Sequence, residues 1–248
     1  MTIDHPFLYA HSTPLVESLR AELRNAAIPE HERKGIFFKT GPGDYAEHDQ
    51  FIGVPVPQLR KLVKSYNGLP LESVLCLLKS PINEERLLAL LMMVERYQQG
   101  DVALKQLIFE LYQSHIQYVN NWNLVDASAH MIVGAHLHQR DKSQLFTWAS
   151  SNRLWERRIA IVSTWYFIRQ NEYEWTIKLA EILLHDPHDL MHKAVGWMLR
   201  EAGKRDETVL IVFLEKYAHQ MPRTMLRYAI EKFSVDKRKA YLRRELLK

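Results

Sequence analysis

After residue 81 the chain almost stops using the two residues that break helices. Of its 9 glycines and 10 prolines, only Gly100, Pro187, Gly134, Gly196, Gly203 and Pro222 follow Pro81. The stretch 82–248 consists of long segments with apolar residues at 3.6-residue spacing, joined by short polar stretches. That combination predicts an all-α chain. The period places helices at 14–27, 57–67, 71–79, 83–97, 101–114, 122–138, 141–150, 154–169, 172–184, 188–204, 207–219, 221–233 and 235–247. Several start signals agree: Pro14 after Ser12-Thr13, Pro57 in a first turn, Asn83 before Glu84-Glu85, and Asp101 opening the next segment.

The segments also repeat loosely. ERLLALLMMVERY, WNLVDASAHMIVGAHL, WERRIAIVSTWYFI, HKAVGWMLREAGK and PRTMLRYAIEKF each begin polar and turn apolar, with small residues at helix-packing spacing. With Arg86, Asp126, Arg158, Lys193 and Thr224 as equivalents, the separations are 40, 32, 35 and 31 residues. Such spacing predicts paired helices stacked as an α-solenoid of HEAT-like helical repeats, whose second helices line a concave surface. An irregular helical bundle is the alternative. One domain over 1–248 is expected, with N-terminal helices and a long loop in 1–56 and stacked helical pairs in 57–248. Within the non-helical stretch 35–57, Gly41 and Gly43 flank Pro42 in a turn. No Lys-Ser/Thr follows as a P-loop requires, so nucleoside triphosphate binding is not expected.

Composition narrows the function classes. With 47% hydrophobic residues in 248, the chain buries a substantial core. Its longest apolar runs, such as LLALLMMV, fall far short of the roughly 20 residues of a membrane span. The N-terminus, MTIDHPFLYAHSTP, lacks the pattern of a secretory signal, so a cytoplasmic protein is expected. A single cysteine, Cys76, excludes an internal disulfide, and its place in SVLCLL predicts a buried thiol. Net charge is +4 but uneven: residues 221–248 carry nine Lys/Arg against three acids, leaving −2 for the remainder (24 minus 26). A basic terminus points either to phosphate backbones or to a solvated helix end.

Three constellations carry candidate chemistry. Trp122 and Asp126 are four residues apart and share a helix face. Asp126 is then either a stitch to an arginine of the next repeat or a carboxylate aimed at developing positive charge. Arg157 and Arg158 point about 100° apart, and the repeat register selects Arg158, which neutralises Asp126 or forks onto a phosphate. Lys193, Trp197 and Arg200, at i, i+4 and i+7, form a stripe of two cations and an indole. Trp197 is a core anchor on one reading. On the other it belongs to a nucleic-acid surface of interleaved aromatics and cations. Histidines cluster at His136/His138 and His185/His188/His192, but Pro187 interrupts the second group and no HExxH accompanies it, so no metal site is expected. A Gly-x-Ser-x-Gly elbow is also absent.

At these motifs, from FFKTGPGDYAEHDQFIGVPVPQLRKLVKSY through NWNLVDASA, LWERRIAIVSTWYFI and HKAVGWMLREAGK to MPRTMLRYAIEKF, the chain resembles the AlkD-like family of bacterial DNA alkylation-repair glycosylases. The resemblance implies HEAT-like repeats with a concave basic surface holding duplex DNA that contains alkylated bases. It implies an aromatic pair at Trp122 and Trp197, a catalytic aspartate at Asp126 and a phosphate-contacting arginine at Arg158; Lys193 and Arg200, from the cation–indole stripe, are expected as further DNA-binding cations. The implied reaction is hydrolysis of the glycosidic bond of N3- or N7-alkylpurines without base flipping, leaving an abasic site, with no cofactor and no metal. A monomer is expected. One departure is Asn121, where some members carry a second aromatic. The rival reading is a non-catalytic HEAT-like scaffold that binds DNA or protein, with Asp126 and Arg158 as a structural salt bridge.

Overall fold

The computed structural model describes residues 14–29 and 38–243. The N-terminal stretch read for a signal, the start of the 35–57 loop and the last turn expected of helix 235–247 lie outside them. Among the described residues every regular element is a helix, with one isolated parallel bridge between Gln50 and Ile82. The chain divides into two compact units, up to Glu95 and from Arg96 onward.

In the first unit, α1 (Pro14–Asn25) packs on α2 (Val56–Ser65), and α3 (Leu71–Leu78) and the greater part of α4 (Asn83–Gln99), up to Glu95, follow. Val16, Leu19 and Leu23 of α1 are buried, one apolar stripe at helical spacing. Tyr66 ties α2 back to α1 by donating to Glu22 at 2.6 Å. Proline sits in the first turn of α2, where its missing N–H costs nothing. The expected turn at Gly41-Pro42-Gly43 is present. The Gly41 amide donates to Asp44 (3.1 Å), and Gly43 takes a φ of 79° that a side chain would strain.

The polar first turn of α4 holds this loop. Glu84, buried, accepts from the amides of Ile52 (3.2 Å) and Gly53 (2.7 Å). Arg86 pairs with Asp49 and donates to the Ser80 carbonyl at 2.8 Å, while Asn83 donates to Asp49 at 2.8 Å. The register position Arg86 is thus occupied in securing the loop. Cys76, on α3, is half-buried, a correction to the buried thiol expected from its apolar neighbours.

The second unit has two rows of helices. One row is α6 (Trp122–Ala129), a π turn (His130–Gly134), α7 (Ala135–Leu137), α9 (Leu154–Arg169), α11 (Asp189–Arg205) and α13 (Arg223–Ala229). Along it, α6 and the π turn pack on α9, α9 on α11, and α11 on α13. The other row is α5 (Val102–Ser114), α8 (Ser143–Ala149), α10 (Glu174–Ile182) and α12 (Glu207–Tyr217). Of these, α8 packs on α9, α10 on α9 and α11, and α12 on α11, while α14 (Val235–Leu242) packs on α13. Pairs stacked through their second helices are the arrangement of HEAT-like α-solenoid repeats.

Residues buried on both flanks, such as Ile159, Ile161, Val162, Val195, Met198 and Leu199, explain why the second helices read as apolar nearly all round. Two crossings depend on glycine. A Cβ at Gly134 would run into the Ser163 carbonyl and the Tyr166 side chain. One at Gly196 would lie 2.5 Å from the Met225 carbonyl oxygen.

The helix expected at 122–138 is real but interrupted by the π turn, whose extra residue a 3.6 period does not register. Asp101 caps α5 as its sequence signal predicts, accepting from Leu104 N at 2.8 Å, and the structure adds a cap at Asp206 on α12.

Candidate functional site

Polar residues in the first turns of the second helices connect one repeat to the next. On α6, Asn121 is fully buried and accepts from the Trp122 amide at 2.7 Å, so the departure from an aromatic at that position supplies a helix cap. Trp122 opens the helix, half-buried, and Asp126 follows one turn later on the same face. Arg158 on α9 meets that carboxylate with two parallel bonds, Nε to Oδ1 at 2.9 Å and Nη2 to Oδ2 at 2.8 Å. Its Nη1 donates to the Leu190 carbonyl of α11 at 2.6 Å. One guanidinium therefore joins three successive helices. Its side chain is 6% exposed, against 22% for Asp126. The carboxylate offers about four lone-pair positions, two of them taken by Arg158, and its remaining edge reaches solvent.

The next link runs from α11 to α13. Lys193 pairs with Asp189 at 2.8 Å, and Asp189 also accepts from Thr224. The hydrogen bond from Lys193, the largest influence, and that from Thr224 hold Asp189 below the usual carboxylate range. Further along α11, Arg200 pairs with Glu201 at 3.2 Å and with Glu231. The sequence register thus places Asp126, Arg158, Lys193 and Thr224 in one polar ladder. Each cation that a phosphate would meet there already faces a carboxylate.

The aromatic part differs from the expected pair in one respect. Trp197 is half-buried, and its ring meets Trp165 of α9 edge to face, with centroids 5.0 Å apart and planes at 62°. Trp165 in turn contacts His130, at 4.5 Å and 42°. His130 lies one turn beyond Asp126, in the π turn, and is 7% exposed with an unpartnered buried Nδ1. Burial, reinforced by Arg169 and opposed by a hydrogen bond with the Asp126 backbone, lowers its pKa to about 4. Sequence reasoning passed over both residues. The available signal was spacing: Trp165 is seven residues after Arg158 and His130 four after Asp126, so each shares a face with a residue already singled out.

The second histidine group has structural partners. His188 caps α11, its Nδ1 accepting from Leu190 N at 3.1 Å, and His192 bonds to the Asp186 carbonyl at 2.6 Å. His136 stacks on Phe109 at 4.0 Å and faces the Tyr97 hydroxyl. Among the described residues no group of three His, Cys, Asp or Glu side chains is placed to hold a metal ion. No helix among them is long and apolar enough to cross a membrane.

Fold and ladder together define an all-helical repeat protein with a charged and aromatic face on its second helices. The pattern of the DNA alkylation repair enzyme family matches residues 19–233, and the chain belongs to that family. Among solved structures, a predicted DNA alkylation repair enzyme from Enterococcus faecalis is similar in fold. It has a TM-score of 0.61 and 16% sequence identity, over 77% of this chain and 92% of that one. No curated protein matches the chain.

Proposed function

We propose that this protein is a monofunctional DNA glycosylase that removes positively charged N3- and N7-alkylpurines from duplex DNA. The observation carrying this reading is the Asp126 carboxylate. It is fixed by a bidentate arginine, partly open to solvent, and shares its helix face with an indole in a chain of the DNA alkylation repair family. An alkylpurine with a ring charge is already a good leaving group. When the glycosidic bond breaks, its electron pair goes to the base and neutralises that charge, while positive charge develops on the sugar. A fixed carboxylate stabilises that charge and orients the water whose oxygen adds to the sugar carbon as a proton is lost. Trp122 and Trp197 offer π faces to the same cation. Arg158 and Lys193 take the neighbouring phosphate, and Arg200 joins them by exchanging a glutamate for it. The face of the second helices is, on this reading, the basic surface that receives DNA. The product is an abasic site, with no cofactor used.

One observation favours a second reading, a DNA- or protein-binding scaffold without catalysis. Arg158 already spends three donors on Asp126 and Leu190, as a purely structural stitch would. Release of 7-methylguanine and 3-methyladenine from methylated duplex DNA separates the two, measured for the wild type and Asp126→Asn with and without chelator. Release that requires Asp126 and ignores chelator is the expected result. Salt-sensitive DNA binding with no base release would establish the scaffold instead.

A further inference from the structure

We infer that Trp165 is a positioning residue of this site, whose ring fixes the orientation of Trp197. The inference rests on the glycosylase reading for its kinetic consequence, but its geometric part stands alone.

A tryptophan at a half-exposed helix position keeps several side-chain rotamers, and only some of them present the indole face to a ligand. The backbone beneath Trp197 is fixed, because Gly196 brings α11 against the Met225 carbonyl of α13. What remains to be set is the side chain, and Trp165 meets it edge to face at 5.0 Å. Such a contact biases one rotamer over another by about two- to tenfold. Trp165 is itself held, since it lies against His130, which is almost fully buried in the π turn directly after the helix of Asp126. His130 is neutral near pH 7, so the row adds no positive charge beside a developing cation. The three rings cross from the helix of the carboxylate, over α9, to the helix of Trp197. They parallel the Asp126–Arg158–Leu190 chain that crosses the same helices through polar groups.

The test is a double-mutant cycle on the full chain. Trp165→Ala is expected to lower the single-turnover rate of 7-methylguanine release about three- to tenfold, with duplex affinity little changed. In a Trp197→Ala background the same change should have no further effect, since there is nothing left to position. Trp165→Phe keeps a ring in place and should lose no more than about twofold; it also serves if the alanine variant folds poorly. An unaltered rate for Trp165→Ala, or the same loss in both backgrounds, would overturn the inference. Circular dichroism supplies a readout independent of activity. Two indoles at 5.0 Å couple, giving paired bands of opposite sign that should vanish equally in Trp165→Phe and Trp197→Phe. If the wild type releases no base, the glycosylase reading fails by itself, and the paired bands alone decide for or against the ring geometry.

Discussion

At the scale of single residues, variants of Asp126 should separate its structural pairing with Arg158 from the catalytic role proposed for it. Asp126→Asn leaves Arg158 with an amide oxygen and the Leu190 carbonyl in place of a matched anion. Its expected cost in stability is about 1–3 kcal/mol, less than the ~3–5 kcal/mol of a buried charge with no partner at all. The expected loss of base release is much larger, about 100- to 1000-fold. Denaturant unfolding and single-turnover rates on one preparation compare the two, and a variant that is destabilised yet fully active would remove Asp126 from the chemistry. Buried histidines make a separate prediction about pH. His130 and His136 are lowered to about 4, mainly by burial, and His188 is lowered as well, also mainly by burial. For His130 and His136 the folded-state value lies below the unfolded one, so the unfolded chain binds more protons between roughly pH 4 and 6.5, and His188 acts in the same direction. The stability these groups contribute is complete above about 6.5 and is lost as pH falls toward 4, each histidine giving a slope of at most about 1.4 kcal/mol per pH unit. Melting temperatures between pH 7 and 5 should drop, and His136→Gln should flatten the curve; an unchanged slope would show that His136 titrates normally.

The elements depend on contacts that no single helix reveals. Gly134 and Gly196 are helical residues with ordinary backbone angles, and helix propensity alone would favour alanine at both. Each instead marks a crossing where the next helix approaches too closely for a methyl group. Gly196→Ala and Gly134→Ala should therefore each destabilise by about 1–3 kcal/mol, as overpacked sites do. Gly68→Ala, with nothing within 4 Å of the added carbon, should stay within about 0.5 kcal/mol of the wild type. Urea midpoints for the three variants decide this, and equal midpoints would mean the crossings relax freely. The π turn belongs to the same scale. Its extra residue accompanies the turn that holds His130 against Trp165, one helical turn past Asp126.

For the whole molecule the relevant quantity is charge. A net +4 and a basic C-terminal stretch favour polyanions, yet Lys193 and Arg200 are already paired with carboxylates. Binding to duplex DNA should weaken steeply with salt, and Lys193→Ala should make the slope of log affinity against log salt shallower by about one. An unchanged slope would place the phosphate contact elsewhere. Most helix positions were legible because the second helices carry apolar residues at a 3.6-residue period and contain no proline, with glycine only where neighbouring helices pack closely. The ladder was legible in part. Register aligned Asp126, Arg158, Lys193 and Thr224, and the three links between their helices join neighbours in that alignment or their helix-mates. Arg86 shared the register but was claimed by Asp49, since the loop it secures has no counterpart in the later repeats.

Local sequence by itself determined that the chain is helical, where most helices start, and which polar residues share a face. Those properties follow from backbone propensity and from a period read along one segment. That Asp126 and Arg158 meet in two parallel bonds rather than stand apart, that Trp197 meets Trp165, and that His130 is buried without its charge were decided only by the tertiary structure. Each of these depends on the distance between residues about 30 apart in the chain. Helix crossings at Gly134 and Gly196 set that distance, and no local pattern encodes it.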